Sequence, residues 1–147
     1  MTETMSKTEI KAYKQTIAFI VAICVRLGTK AISPIHEIFH GILAVIQGQT
    51  ITAVSWNYIE IARCTPLTTG GAYFLELIFY AIIVMKAKRS TFSMFCFGIL
   101  HALALRAPVS MDFRDLPGMW ANWLLLWVVT VAVCWWVVVH KYKMAPE

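Results

Sequence analysis

His36, Glu37 and His40 form an H-E-x-x-H pattern inside Ser33–Gln47, a stretch that otherwise reads as an apolar helix. Side chains four apart lie on one helical face, so both imidazoles can reach a single ion. Glu37 sits beside them, placed to take a proton from a water held there. These residue types at this spacing are the minimum set for zinc-assisted hydrolysis. On this chain's own His and Glu frequencies the pattern arises by accident roughly half a per cent of the time. Its setting adds weight. Ionisable side chains among Ile35, Ile38, Phe39, Ile42 and Leu43 are costly in an apolar phase unless a partner compensates them, and a metal would do so. The alternative is two neutral histidines hydrogen-bonded to neighbours, with Glu37 protonated or ion-paired.

A zinc site with an open catalytic position needs a third protein ligand, and a carboxylate is a standard choice. The chain has two aspartates, Asp112 and Asp115, both in the irregular stretch Arg106–Gly118. Either can instead cap a helix or pair with Arg106 or Arg114. Glu76 lies in a later apolar segment, where it can support a histidine from the second shell or, near a helix end, reach water.

The helix that carries the motif has a start and a stop. Ser33 suits an N-cap and Pro34 a first helical position, and Gly48 marks the end. Before it, an apolar segment from Ile17 to Leu27 follows an amphipathic approach with Lys11 and Lys14. Arg26 and Lys30 interrupt that segment near its end, as charges flanking the uncharged run that are able to snorkel to an interface. After it, residues 49–69 are rich in β-branched and aromatic types and too polar to span, predicting one or two short strands at a membrane surface. Such an edge could hold an extended substrate by strand addition, or the strands could be a plain connecting hairpin. Thr68-Thr69-Gly70-Gly71 predicts the opening of a helix to about Met85, with small residues that allow close packing on the motif helix. Further helices are predicted over Phe92–Leu105, carrying His101, and over Met119–Val139, uncharged and long enough to span.

At 147 residues, 59% hydrophobic and 14% charged, the chain reads as one all-α integral membrane domain. About five apolar helices are expected, four to five of them spanning, with the short β-like segment after the motif helix. Residues 1–15 are polar, without the order of a cleavable signal peptide. The net charge of +5 comes from short clusters at segment ends, which suits lipid head groups rather than nucleic acid. Basic residues divide almost evenly between the two sides of a five-span arrangement, leaving orientation open. Cys24, Cys64, Cys96 and Cys134 are too widely spaced for a thiolate zinc site and read as packing residues.

His36-Glu37-x-x-His40 with Gly41 and Ala44, then Gly48 and a strand-like stretch, then Thr69-Gly70-Gly71, resembles the site-2 protease family of intramembrane zinc metallopeptidases. Ser110-Met111-Asp112 with Leu116 and a tryptophan-bearing last helix is similar to the aspartate segment of its small members. The likeness runs over residues 33–127, as in a divergent member. The family's Asn-Pro and Leu-Asp-Gly around the aspartate are missing, and Phe113 and Arg114 replace glycines. The resemblance implies that His36, His40 and Asp112 bind zinc, that Glu37 activates water, and that the substrate is a membrane-embedded polypeptide. If the helices before it span fully, Asp112 must dip inward to reach the histidines, through a re-entrant loop around Pro108. Asp115 and His101 are reserve ligands. Water would enter beside Thr68, Thr69 and Ser110.

Two other function classes fit the same residues. One is a non-catalytic small subunit of an oligomer or larger membrane complex, with at most a structural metal. The other is metal transport, which five helices without an internal repeat support poorly. Glu37 discriminates, since hydrolysis needs it and structural metal binding does not.

Overall fold

In the computed structural model the described residues are 5–28, 33–106 and 119–141, which form five helices and one hairpin. Helix α1 spans Lys7–Gly28. Ser6 and Glu9 cap it reciprocally: the Ser6 hydroxyl accepts from the Glu9 amide at 3.3 Å, and the Ser6 amide donates to Glu9 Oε2 at 2.7 Å. That amide holds the Glu9 carboxyl below its usual range. The polar approach and the apolar segment are therefore one continuous helix, buried along Gln15, Ala22 and Arg26. Arg26 departs from its expected role as a flanking charge that reaches the interface. It turns inward and is 3% exposed.

Helix α2, Ser33–Ile46, carries the motif. It stops at Gly48, whose φ of 64° is the left-handed conformation glycine adopts without a Cβ penalty. The Gly48 amide donates to Val45 O at 3.0 Å and the Gln49 amide to Ala44 O at 2.9 Å, the paired bonds that close a helix end. Strands β1 (Ile51–Ser55) and β2 (Tyr58–Ile61) follow, an antiparallel hairpin where the sequence predicts one or two short strands. Val54 lies opposite Ile59 and Ser55 opposite Tyr58, with an irregularity between Ile51 and Ala53.

Helix α3 covers Pro66–Lys86, starting five residues before Gly71. The Gly-Gly pair reads as a break in sequence, but the cap lies upstream. Thr65 accepts from the Thr68 amide, the Thr68 hydroxyl takes the Thr65 amide, and Pro66 occupies the first turn. Ser90 and Ser93 cap α4 (Thr91–Arg106) in the same way. Helix α5 is Met119–Lys141.

Contacts fix helix directions. Going from His36 to His40 on α2, the partners on α3 step back from Glu76 to Thr68, so these helices are antiparallel. Phe19 meets Phe97 and His101 while Arg26 meets Arg106, so α1 and α4 run parallel. Both pairs approach closely through glycine. A Cβ on Gly71 would stand 2.9 Å from Leu43 Cδ1, as the small residues there led us to expect. One on Gly98 would stand 2.5 Å from Phe19 O and 2.8 Å from Ala22 Cβ. Leu77, Val84, Ile99, Leu100, Leu103 and Val137 fill the core between α3, α4 and α5, where Cys134 Sγ also donates to Leu100 O.

Outward faces are apolar as well. Ile17, Ile20 and Val21 on α1, Ile38, Ile42 and Val45 on α2, Ile78 and Ile82 on α3, and Val128 and Trp135 on α5 are exposed. Among the described residues, α3 is the helix long and apolar enough to cross a membrane. Its 21 residues rise about 31 Å. Pro34–Ile46, Thr91–Arg106 and Trp127–His140 are shorter apolar helices.

Replacing Gly98 by Ala should destabilise the fold. Forcing a Cβ against backbone outweighs the ~1 kcal/mol gained in helix propensity, for a net loss of about 1 kcal/mol or more. Gly28→Ala, with nothing within 4 Å, is the control. Denaturant unfolding in detergent checks this, and a Gly98→Ala protein as stable as the control would refute the close approach of α1 to α4.

Candidate metal site

His36 and His40 project from adjacent turns of α2 toward α3, and both are nearly buried, at 5% and 8% exposure. Their Nε2 atoms stand 3.0 Å apart, with the rings almost perpendicular at 88°. Each ring's other nitrogen has an acceptor. His40 Nδ1 lies 2.6 Å from the carbonyl of Thr68, which can only accept, so Nδ1 carries the proton. His36 Nδ1 donates to Glu76 Oε2 at 3.0 Å. Tyr73 packs edge-on against the His36 ring, with centroids 4.5 Å apart.

These tautomers leave a lone pair on each Nε2, and the two lone pairs face each other across 3.0 Å. Bare, they would repel. A cation between them, metal or proton, turns repulsion into attraction. Two nitrogens at ~2.0–2.1 Å from a tetrahedral zinc ion stand about 3.3 Å apart, close to what is found here. Histidines that bind metal usually donate their second N–H to a carboxylate or a backbone carbonyl, and His36 and His40 have one of each. The two histidines therefore have the geometry and outer hydrogen bonds of two zinc ligands. Among the described residues no group of three or more His, Cys, Asp and Glu side chains is arranged to hold a metal.

Glu37 reaches the hairpin. Its Oε2 accepts from the Ile59 amide at 3.1 Å. Gly41, one turn on, makes room for the same strand, where a Cβ would come within 3.1 Å of Ile59 Cδ1. The hairpin is therefore docked on the motif helix, and the outer edge of β2 is engaged there at Ile59.

Glu76 sits in the middle of α3 with 0% exposure, rather than near a helix end in contact with water. The same Oε2 that meets His36 accepts from Arg26 Nη2 at 2.9 Å. Arg106, the last residue of α4, donates from Nη1 to Arg26 O at 3.2 Å. Helix α4 has 16 residues, about 24 Å, against the ~30 Å of a bilayer core. It ends on a run of contacts that leads through Arg26 and Glu76 to His36. Asp112 and Asp115 lie outside the described residues, as do Pro108 and Ser110.

His101 lies on the seam between α1 and α4, its ring edge-on to Phe19 and Phe97 and its Nδ1 3.0 Å from Phe97 O. The Thr68 hydroxyl, expected beside a water route, is fully buried and committed to the α3 cap. The sequence reading missed Arg26 and the Thr68 carbonyl. Arg26 had a signal: an arginine in one apolar helix and a glutamate in another are natural partners in a low dielectric. A main-chain carbonyl has none. The chain matches no protein-family model, no curated protein and no solved structure.

Both imidazoles should carry their proton on Nδ1 in the zinc-loaded protein. Long-range 1H–15N spectra of the histidine rings read this directly, and an Nε2–H on either loaded ring would overturn the assigned tautomers.

Proposed function

We propose that the chain is a small multi-pass intramembrane zinc metalloprotease, similar to the site-2 protease family, that hydrolyses peptide bonds of membrane-embedded polypeptides. The observation that carries this reading is the facing Nε2 pair of His36 and His40, with both Nδ1 atoms already committed. The apolar outward faces, and the length of α3, support a membrane setting. His36 and His40 hold the ion. Asp112 is the proposed third ligand, with Asp115 in reserve; His101, held on the α1–α4 seam, is not grouped with the two histidines and drops out as a reserve. Bound there, zinc would supply Lewis acidity and lower the pKa of a coordinated water.

The chain's own residues do the rest. Glu37 takes the proton of the attacking water and passes it to the leaving amine. The Ile59 amide keeps that carboxylate oriented on the hairpin side of α2. A substrate helix must unwind locally before its peptide bond is reachable, so a Gly or Pro near the cut favours cleavage.

The Glu37–Ile59 bond also favours a second reading. A carboxylate that braces a hairpin does so without catalysis, as in a non-catalytic subunit that keeps a structural metal. One experiment separates the two. Detergent-purified wild type should hold about one zinc per chain, lost when His36 and His40 are both replaced by Ala. Glu37→Gln should keep the zinc and lose about 10²–10⁴-fold in cleavage of a membrane-embedded peptide. Wild type without metal would sink the protease reading and leave a non-catalytic subunit without a metal, whereas zinc-loaded wild type that cuts no faster than Glu37→Gln would leave the subunit with a structural metal. Asp112→Ala should lose the metal and Asp115→Ala should retain it, and the reverse pattern would move the third ligand to Asp115.

A further inference from the structure

We propose that Arg26 and Glu76 are positioning residues of the metal site: Glu76 aims His36, Arg26 aims Glu76, and helix α1 thereby sets metal affinity without touching the ion. This rests on the metal-binding reading of His36 and His40. One oxygen, Glu76 Oε2, receives His36 Nδ1 at 3.0 Å and Arg26 Nη2 at 2.9 Å. Two donors converging on one acceptor fix its position, and through it the direction of the His36 lone pair.

Stability is a poor explanation for this pair. Both side chains are almost fully buried, at 3% and 0% exposure. Among the described residues, Arg26 Nε and Glu76 Oε1 have no hydrogen-bond partner. Well-packed apolar side chains would commonly serve the fold as well or better, so an ion pair kept in this condition points to another use. The two histidines are also treated unequally. His40 donates to a neutral carbonyl, and His36 to a carboxylate, which makes the ring a stronger donor to a cation. A carboxylate alone would add a buried negative charge beside the histidine. The guanidinium cancels it.

Placement of Arg26 is itself constrained. Ala22 and Phe19, one and two turns back, lie against Gly98 at a distance that admits no Cβ, which fixes the axial position of α1. Arg106 holds the Arg26 carbonyl from the end of α4. Arg26 reaches Glu76 with a single nitrogen, so a lysine ammonium can take over the contact.

The test is the Zn2+ affinity of the full-length protein in detergent, by competition with a chromophoric chelator at fixed pH. Glu76→Gln and Arg26→Met should each weaken binding about 10–100-fold, and Arg26→Lys should recover most of it. Arg26→Met strands a buried carboxylate and can unfold the chain, so the charge-neutral double variant, Glu76→Gln with Arg26→Met, decides. It should bind as weakly as Glu76→Gln alone, because Arg26 acts through Glu76. Wild-type affinity in the folded double variant, or losses in the two single variants that multiply, would overturn the proposal while leaving the metal site intact. A wild-type protein that binds no zinc would overturn the metal reading, and this proposal with it.

Discussion

Two imidazole nitrogens held 3.0 Å apart, each with its ring's other nitrogen already donating, are the constraint on which the site depends. Neither ring can relieve the repulsion by changing tautomer. His40 would lose its bond to the Thr68 carbonyl, and His36 its bond to Glu76. In a low-dielectric interior a buried acceptor left facing a lone pair instead of its donor costs about 1–3 kcal/mol, which holds the pair in a state that favours a cation between the rings. The local helix supplies the spacing. The lock comes from α3.

That lock requires α2 and α3 to lie close together. Gly71 lets Leu43 approach to where a methyl group could not fit, and the antiparallel sense brings Thr68 to His40 and Glu76 to His36 in one packing. The capping box at Thr65 sets where α3 begins, and with it which carbonyl faces His40. Gly98 does the equivalent for α1 and α4, delivering Arg26 to Glu76. Small residues thus act at a distance from the polar atoms they position. With apolar surface turned outward on most helices, van der Waals packing through such contacts is what would hold helices together where no hydrophobic force acts between them.

The hairpin adds a third element around α2. Its register places the Ile59 amide against Glu37. One helix therefore presents its histidines to α3 and its glutamate to β2. A residue 100° round a helix from its neighbour can meet a different partner, and here Glu37 meets the hairpin while the histidines meet α3.

Much of this was legible in the chain. The four-residue spacing of His36 and His40 is a local property of a helix, and Ser33, Pro34 and Gly48 mark that helix's ends by rules that operate within one or two turns. The strand pair and the remaining helices followed from residue type and periodicity, with α3 displaced only because its Thr65 cap outweighs the Gly70-Gly71 break. What tertiary structure decided are the partners forty, fifty and twenty-eight residues away: Glu76 for His36, Arg26 for Glu76, and the Thr68 carbonyl for His40. Arg26 looked like an interfacial charge because hydropathy along a segment cannot say which way a side chain turns. Only the packing of α1 on α4, and of α2 on α3, turns it inward and brings the histidine pair the groups its Nδ1 atoms bond.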